Sequence, residues 1–120
     1  MKFQRFFVLQ SNTSVSYPYQ NFTVGVTSLY GEHTKQLFDF AKNVHPPWAI
    51  DMTKSKLFAY YYTLRFAQQQ SPAIVMMDLY NGSNLRTLKE FKYPNYSQVS
   101  LSAMVLDPLT GLLYYTRKTI

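Results

Sequence analysis

The apolar positions of this chain fall in short runs, and none of helical length repeats every 3.6 residues. Residues 6–10, 22–29, 34–38, 48–51, 56–62, 73–79 and 85–89 each read as a strand. In 22–29 the alternation puts Val24 and Val26 on one face and Thr23, Gly25 and Thr27 on the other. Residues 102–117 read as a tight hairpin, because Asp107-Pro108 opens a turn and Gly111 closes it. Tyr80-Asn81-Gly82-Ser83 predicts a type I′ hairpin turn, in which Asn81 and Gly82 both take φ > 0. Loops are expected over 11–20, 41–47, 63–72 and 91–100, with a short helix at 64–70 as the alternative in the third. Pro46-Pro47 ends the second of these, since neither proline suits a helix interior. The fold class is therefore all-β.

The strands repeat. A slide of 56 positions carries Asp51 onto Asp107, Leu57 onto Leu113 and Phe58 onto Tyr114. A slide of 51 carries Phe7 onto Phe58, Val24 onto Val75, Gly31 onto Gly82, Leu37 onto Leu88 and Phe40 onto Phe91. A period near 50 filled only with strands points to β-propeller blades, which are four-stranded antiparallel sheets.

Composition sharpens this picture. The 120 residues are 47% hydrophobic and 18% aromatic, enough to bury a core, and Tyr outnumbers Phe, which suits half-wet β-surfaces. The net charge of +6 comes from scattered Lys and Arg that never form a polybasic run, so nucleic acid is not the expected partner. Without Cys there is neither a disulfide nor a thiolate metal site. No apolar run is long enough for a membrane-spanning helix, and the apolar part of residues 1–9 is too short for a signal peptide.

Residues 74–88, Ile-Val-Met-Met-Asp-Leu-Tyr-Asn-Gly-Ser-Asn-Leu-Arg-Thr-Leu, resemble one half of the YWTD repeat of low-density-lipoprotein-receptor class B propellers. Residues 104–116, Met-Val-Leu-Asp-Pro-Leu-Thr-Gly-Leu-Leu-Tyr-Tyr-Thr, resemble the other half. The signature tetrad falls on Tyr114-Tyr115-Thr116-Arg117, which lacks its Trp and its final Asp. The resemblance implies a six-bladed propeller that is usually extracellular and binds proteins. Mapped so, residues 1–46 supply strands two to four of a first blade, 47–90 a complete blade, and 91–120 the first two strands of a third. Complete propellers carry roughly 4–8 blades. The chain is thus expected to be an incomplete fragment, a truncated product, or a subunit completed by further blades in cis or by association.

In such a blade the short turns gather on one side and the long loops on the other. Binding residues concentrate on long loops held by a rigid scaffold. The partner-binding candidates are Tyr17, Tyr19, Arg65, Phe66, Tyr93 and Tyr96, since Tyr and Arg dominate interface hot spots. Four Asn-x-Ser/Thr sequons make Asn12, Asn21, Asn81 and Asn95 glycosylation candidates. Asp51 and Asp107 open equivalent turns and read as structural Asx-turn residues. His33 and His45 have no partner at metal-ligand spacing, and neither a nucleophile elbow nor a phosphate loop occurs. The expected function is a non-catalytic module that binds a protein, or alternatively a glycan, in an extracellular or cell-surface setting, with no cofactor and no metal. The alternative is a fragment of a six-bladed hydrolase or lactonase propeller whose active site lies outside this sequence.

Overall fold

Nine strands account for the regular structure of the computed structural model, which describes residues 5–11, 22–28, 33–41, 43–61, 72–91 and 99–119. They are β1 (Arg5–Ser11), β2 (Phe22–Ser28), β3 (Thr34–Asp39), β4 (Val44–Asp51), β5 (Lys56–Tyr61), β6 (Ala73–Asp78), β7 (Arg86–Glu90), β8 (Val99–Leu106) and β9 (Leu113–Thr119). All neighbours are antiparallel and follow chain order, giving sheets β1-β2-β3, β4-β5-β6-β7 and β8-β9. The protein is all-β, as its short apolar runs predict. Two units divide the chain, Met1–Lys42 holding the first sheet and Asn43–Ile120 the other two.

Strand registers carry the repeat further than the sequence does. In β2–β3, Val24 faces Phe38 and Gly25 faces Gln36, leaving Leu37 as the extra residue of a bulge. In β6–β7, Ile74 faces Lys89 and Val75 faces Thr87, leaving Leu88 extra at the same place. The Phe40 N–H donates to the Phe22 carbonyl at 2.7 Å, and the Phe91 N–H donates to the Pro72 carbonyl at 2.8 Å. The slide of 51 therefore holds for β3 onto β7 and for β1 onto β5. From β2 onto β6 the slide is 50, so Val24 corresponds to Ile74 and not to Val75. Between β4–β5 and β8–β9 the slide of 56 holds next to the turns, where Ala49 opposite Phe58 becomes Val105 opposite Tyr114 and Ile50 opposite Leu57 becomes Leu106 opposite Leu113. It is lost beyond the bulges, where His45 faces Tyr60 but Leu101 faces Arg117.

Two local expectations are corrected. The loop expected over 41–47 is largely strand, because β4 starts at Val44 and takes both prolines into a bulge. His45 faces Tyr60 and the next paired residue, Ala49, faces Phe58. Prolines have no N–H to donate, which a bulge on an edge strand accommodates, and β4 is the edge of its sheet. The Asn81-Gly82 turn is not type I′, because Gly82 has φ 71° while Asn81 is not among the residues with positive φ. It is a wider loop closed by Gly82 N–H to the Asp78 carbonyl at 2.9 Å.

The core of Asn43–Ile120 lies between its two sheets. Ala49, Phe58, Tyr60, Ile74, Met76 and Phe91 pack against Leu101 and Met104, with Leu106, Leu113 and Tyr115 partly buried around them. The opposite face of β5 and β6, with Leu57, Ala59, Val75 and Met77, is buried as well. Strands buried on both faces read as continuous apolar runs instead of alternating ones, which is why Leu57 to Tyr60 and Ala73 to Met77 show no polar interruption. In Met1–Lys42 the buried residues include Phe22, Val24 and Phe40, with the Phe22 and Phe40 rings 6.4 Å apart.

Candidate functional site

The hairpin turns at one end of these sheets share a single frame. Each starts on an Asp and places a left-handed residue four positions on: Asp51 with Ser55 (φ 54°), Asp78 with Gly82 (φ 71°) and Asp107 with Gly111 (φ 74°). The Asp78 N–H donates to the Ser83 carbonyl at 2.8 Å, and the Asp107 N–H to the Leu112 carbonyl at 2.9 Å. Gly82 and Gly111 return their N–H to the Asp carbonyl, each at 2.9 Å. In Met1–Lys42 the Ser28 N–H donates to the His33 carbonyl at 3.1 Å over the same five-residue span. Ser28 thus stands where the other turns have Asp, and its hydroxyl accepts the His33 N–H at 3.2 Å.

Asp is used because its short carboxylate reaches the turn's own N–H groups. Asp51 accepts from the Lys54 N–H at 3.1 Å. Asp107 accepts from the Leu109 N–H at 3.0 Å and the Thr110 hydroxyl at 2.8 Å. Asp78 does a second job: its carboxylate ion-pairs with Lys56, directly opposite on β5, and accepts from Asn84 Nδ2 at 2.7 Å. The Leu79 N–H donates to the Ser55 carbonyl at 3.0 Å, tying the β4–β5 turn to the β6–β7 turn. The structural reading of Asp51 and Asp107 thus stands. Asp78, the third member, was legible as Asp four places before Gly82, the spacing of Asp107 before Gly111.

These contacts set the protonation states. Hydrogen bonds from Lys56 and then Asn84 hold Asp78 below its ordinary value of 3.8, and those from the Thr110 hydroxyl and the Leu109 N–H do the same for Asp107. Burial lowers His45 below 6.5. A carboxylate with a depressed folded pKa contributes stability above its unfolded pKa and loses it as pH falls through the folded one. A buried neutral His destabilises the fold on acidification, because the unfolded chain binds the proton first. The unfolding midpoint is expected to begin falling below about pH 6.5 and to fall again below about pH 4, near the unfolded His and Asp values. Asp78→Asn should weaken only the lower stage. A midpoint flat from pH 7 to 5 would contradict a buried neutral His45.

Tyr17, Tyr19, Arg65, Phe66, Tyr93 and Tyr96 lie outside the described residues, as do Asn12, Asn21 and Asn95. The described strand ends that flank them are fixed: Ser11 pairs with Phe22, and Tyr61 with Ala73, opposite the short turns of their sheets. Asn81 is described and exposed, and its Oδ1 accepts the Ser83 N–H at 3.0 Å within its sequon.

Family models, curated proteins and solved structures yield no match.

Among the described residues no group of three or more His, Cys, Asp or Glu could hold a metal ion. Nor do the described residues contain a helix long and apolar enough to cross a membrane. The carboxylate of Asp107 is engaged within its own turn and that of Asp78 by Asn84 of its turn and Lys56 of β5, so both are ionised at neutral pH and serve the fold.

Proposed function

We propose that the chain is a non-catalytic protein-binding module of a receptor-like β-propeller of YWTD type, built from blade-like sheets. The observation that carries this reading is the repetition of register: β1–β3 follow β5–β7, bulge for bulge, and β8–β9 follow β4–β5 at the pairs next to their turns. Repetition of that kind supports four-stranded units, of which the described residues carry three, four and two strands in turn. It supports three successive blade parts, carried by β1–β3, β4–β7 and β8–β9. The short turns satisfy their own polar groups, which leaves the connections at the other end of each sheet to recognise a ligand. A protein ligand fits the Tyr and Arg content of those connections, and a glycan is the alternative. The four sequons, with Asn81 exposed, support an extracellular or cell-surface location.

The test takes the chain secreted from cultured cells and screens it against an array of secreted proteins and ectodomains. Removal of N-glycans should lower its mass, and an unchanged mass would refute the location. Against a captured ectodomain, Tyr19→Ala, Arg65→Ala, Tyr93→Ala or Tyr96→Ala should weaken binding, at least one of them by about 2 kcal/mol or roughly thirtyfold. Lys54→Ala and Ser83→Ala, on the short turns, should leave binding unchanged, the second while removing the Asn81 sequon. Loss of binding through the short-turn variants alone would place the functional face at the wrong end.

A further inference from the structure

The slide of 56 relates two faces that have different fates. Ala49 and Phe58, opposite each other on β4 and β5, are buried beneath β8–β9. Their counterparts Val105 and Tyr114, opposite each other on β8 and β9, are 62% and 57% exposed. The covering face is also repeated. Leu113 and Tyr115, which lie over β4–β7, correspond to Leu57 and Ala59 on β5, and through the slide of 51 to Phe6 and Val8 on β1. Phe6 is 45% exposed. One molecule therefore carries an uncovered copy of the covered face and a partly exposed copy of the covering face, in which Phe6 is exposed and Val8 and Thr27 are half-buried. The paired positions around Phe6 and Tyr114 bear no charge: Ala103, Val105, Tyr114 and Thr116 on one, Phe6, Val8, Gly25 and Thr27 on the other. The charged pairs Ser100–Lys118 and Thr23–Asp39 lie toward the far ends of these strands, away from the short turns. Joining them buries apolar surface without stranding an ion.

We propose that a second copy of this chain docks its Phe6–Val8 face onto the Val105–Tyr114 face of the first. The contact continues between molecules the sheet-on-sheet packing already made between β4–β7 and β8–β9 within one. The two surfaces differ, so the association is head to tail; it closes as a ring or extends as a filament, depending on the rotation between copies. This rests on the repeated-sheet part of the proposed function and not on its loop ligand.

Sedimentation of the 120-residue chain over a concentration series tests it. The weight-average mass should climb above the 14.1 kDa of one chain. Val105→Glu, Tyr114→Glu and Phe6→Glu, all at exposed positions, should each hold it near that of one chain while far-UV circular dichroism stays unchanged. Mixing Val105→Glu with Phe6→Glu leaves one intact surface on each molecule, so the mixture should form a one-to-one dimer and nothing larger. If Val105→Glu misfolds, the mixture is repeated with Tyr114→Glu. A wild-type chain that stays monomeric, an assembly indifferent to these substitutions, or a mixture that does not pair overturns the proposal. Hydrogen exchange on the same wild-type sample separates the two readings. Protected amides at 104–106 and 113–115 in a monomeric chain would sink only the head-to-tail contact. Unprotected amides there would sink the repeated-sheet reading with it.

Discussion

Leu57→Ala is expected to lower the free energy of unfolding by about 2–5 kcal/mol, the range for a buried Leu truncated in a core that collapses only partly. Leu57 sits on β5, an inner strand, between Ile50 on β4 and Met77 on β6, and its exposure is 0%. Ala removes most of the side chain, and the neighbouring strands cannot close the gap without breaking the ladders that hold Ile50 and Met77 in register. Leu109, in the β8–β9 turn, is 95% exposed, so Leu109→Ala should stay within about 0.5 kcal/mol. Urea unfolding followed by tryptophan fluorescence, through the single Trp48, reads both. Equal midpoints for the two variants would mean that β5 is not an inner strand.

The ease with which β5 could be read, and the difficulty of β4, have the same origin. Leu57-Phe58-Ala59-Tyr60 has no polar residue because both faces of the strand are buried, so the run stands out. Residues 44–51 contain two prolines, which argue locally for a loop. The argument fails because β4 is an edge strand whose bulge needs no N–H from those positions. Asn81-Gly82 failed in a related way. The dipeptide is the strongest local signal for a two-residue turn, but here the frame is anchored by Asp78, four residues before the glycine, and Gly82 alone takes the left-handed conformation of that pair. Gly31 matched Gly82 by identity, whereas the hydrogen bond from Ser28 to His33 matches the turns by span. Spacing from the first turn residue was the better guide.

The candidate site was legible only where it is made of turns. Asp51 and Asp107 announced their role by recurring at one repeat position, and the carboxylate contacts agree. The link between Lys56 and Asp78 was not legible, since it depends on the register that sets β5 beside β6. The aromatic and basic residues of the long connections stand out by residue type and by topology alone. Neither fixes where a side chain points, so their test is binding and not geometry.

Phe91→Ala should be the most damaging change at the junction of β4–β7 with β8–β9, with a loss of about 3–5 kcal/mol. Phe91 directly follows β7, is buried, and belongs to the cluster with Leu101 and Met104. Its ring meets Tyr115 edge to face with centroids 5.6 Å apart, and its N–H holds the Pro72 carbonyl at the start of β6. Lys89 Nζ and Arg117 Cζ lie 5.9 and 5.7 Å from the ring centroid. Lys89 and Arg117 are exposed, so each cation contact is worth only about 0.5–1 kcal/mol. Packing therefore outweighs charge at this position. Phe91→Leu keeps most of the volume and the backbone bond while losing both cation contacts, and it should cost much less than Phe91→Ala. If the two variants lose the same stability, the ring's electrostatics and not its bulk joins the sheets. Phe40 is the counterpart of Phe91, with the same backbone bond to the start of β2. Phe40→Ala should therefore produce a comparable loss, read as amide protection at 23–27 and 34–38, and unchanged protection there would break the equivalence on which the repeat is built.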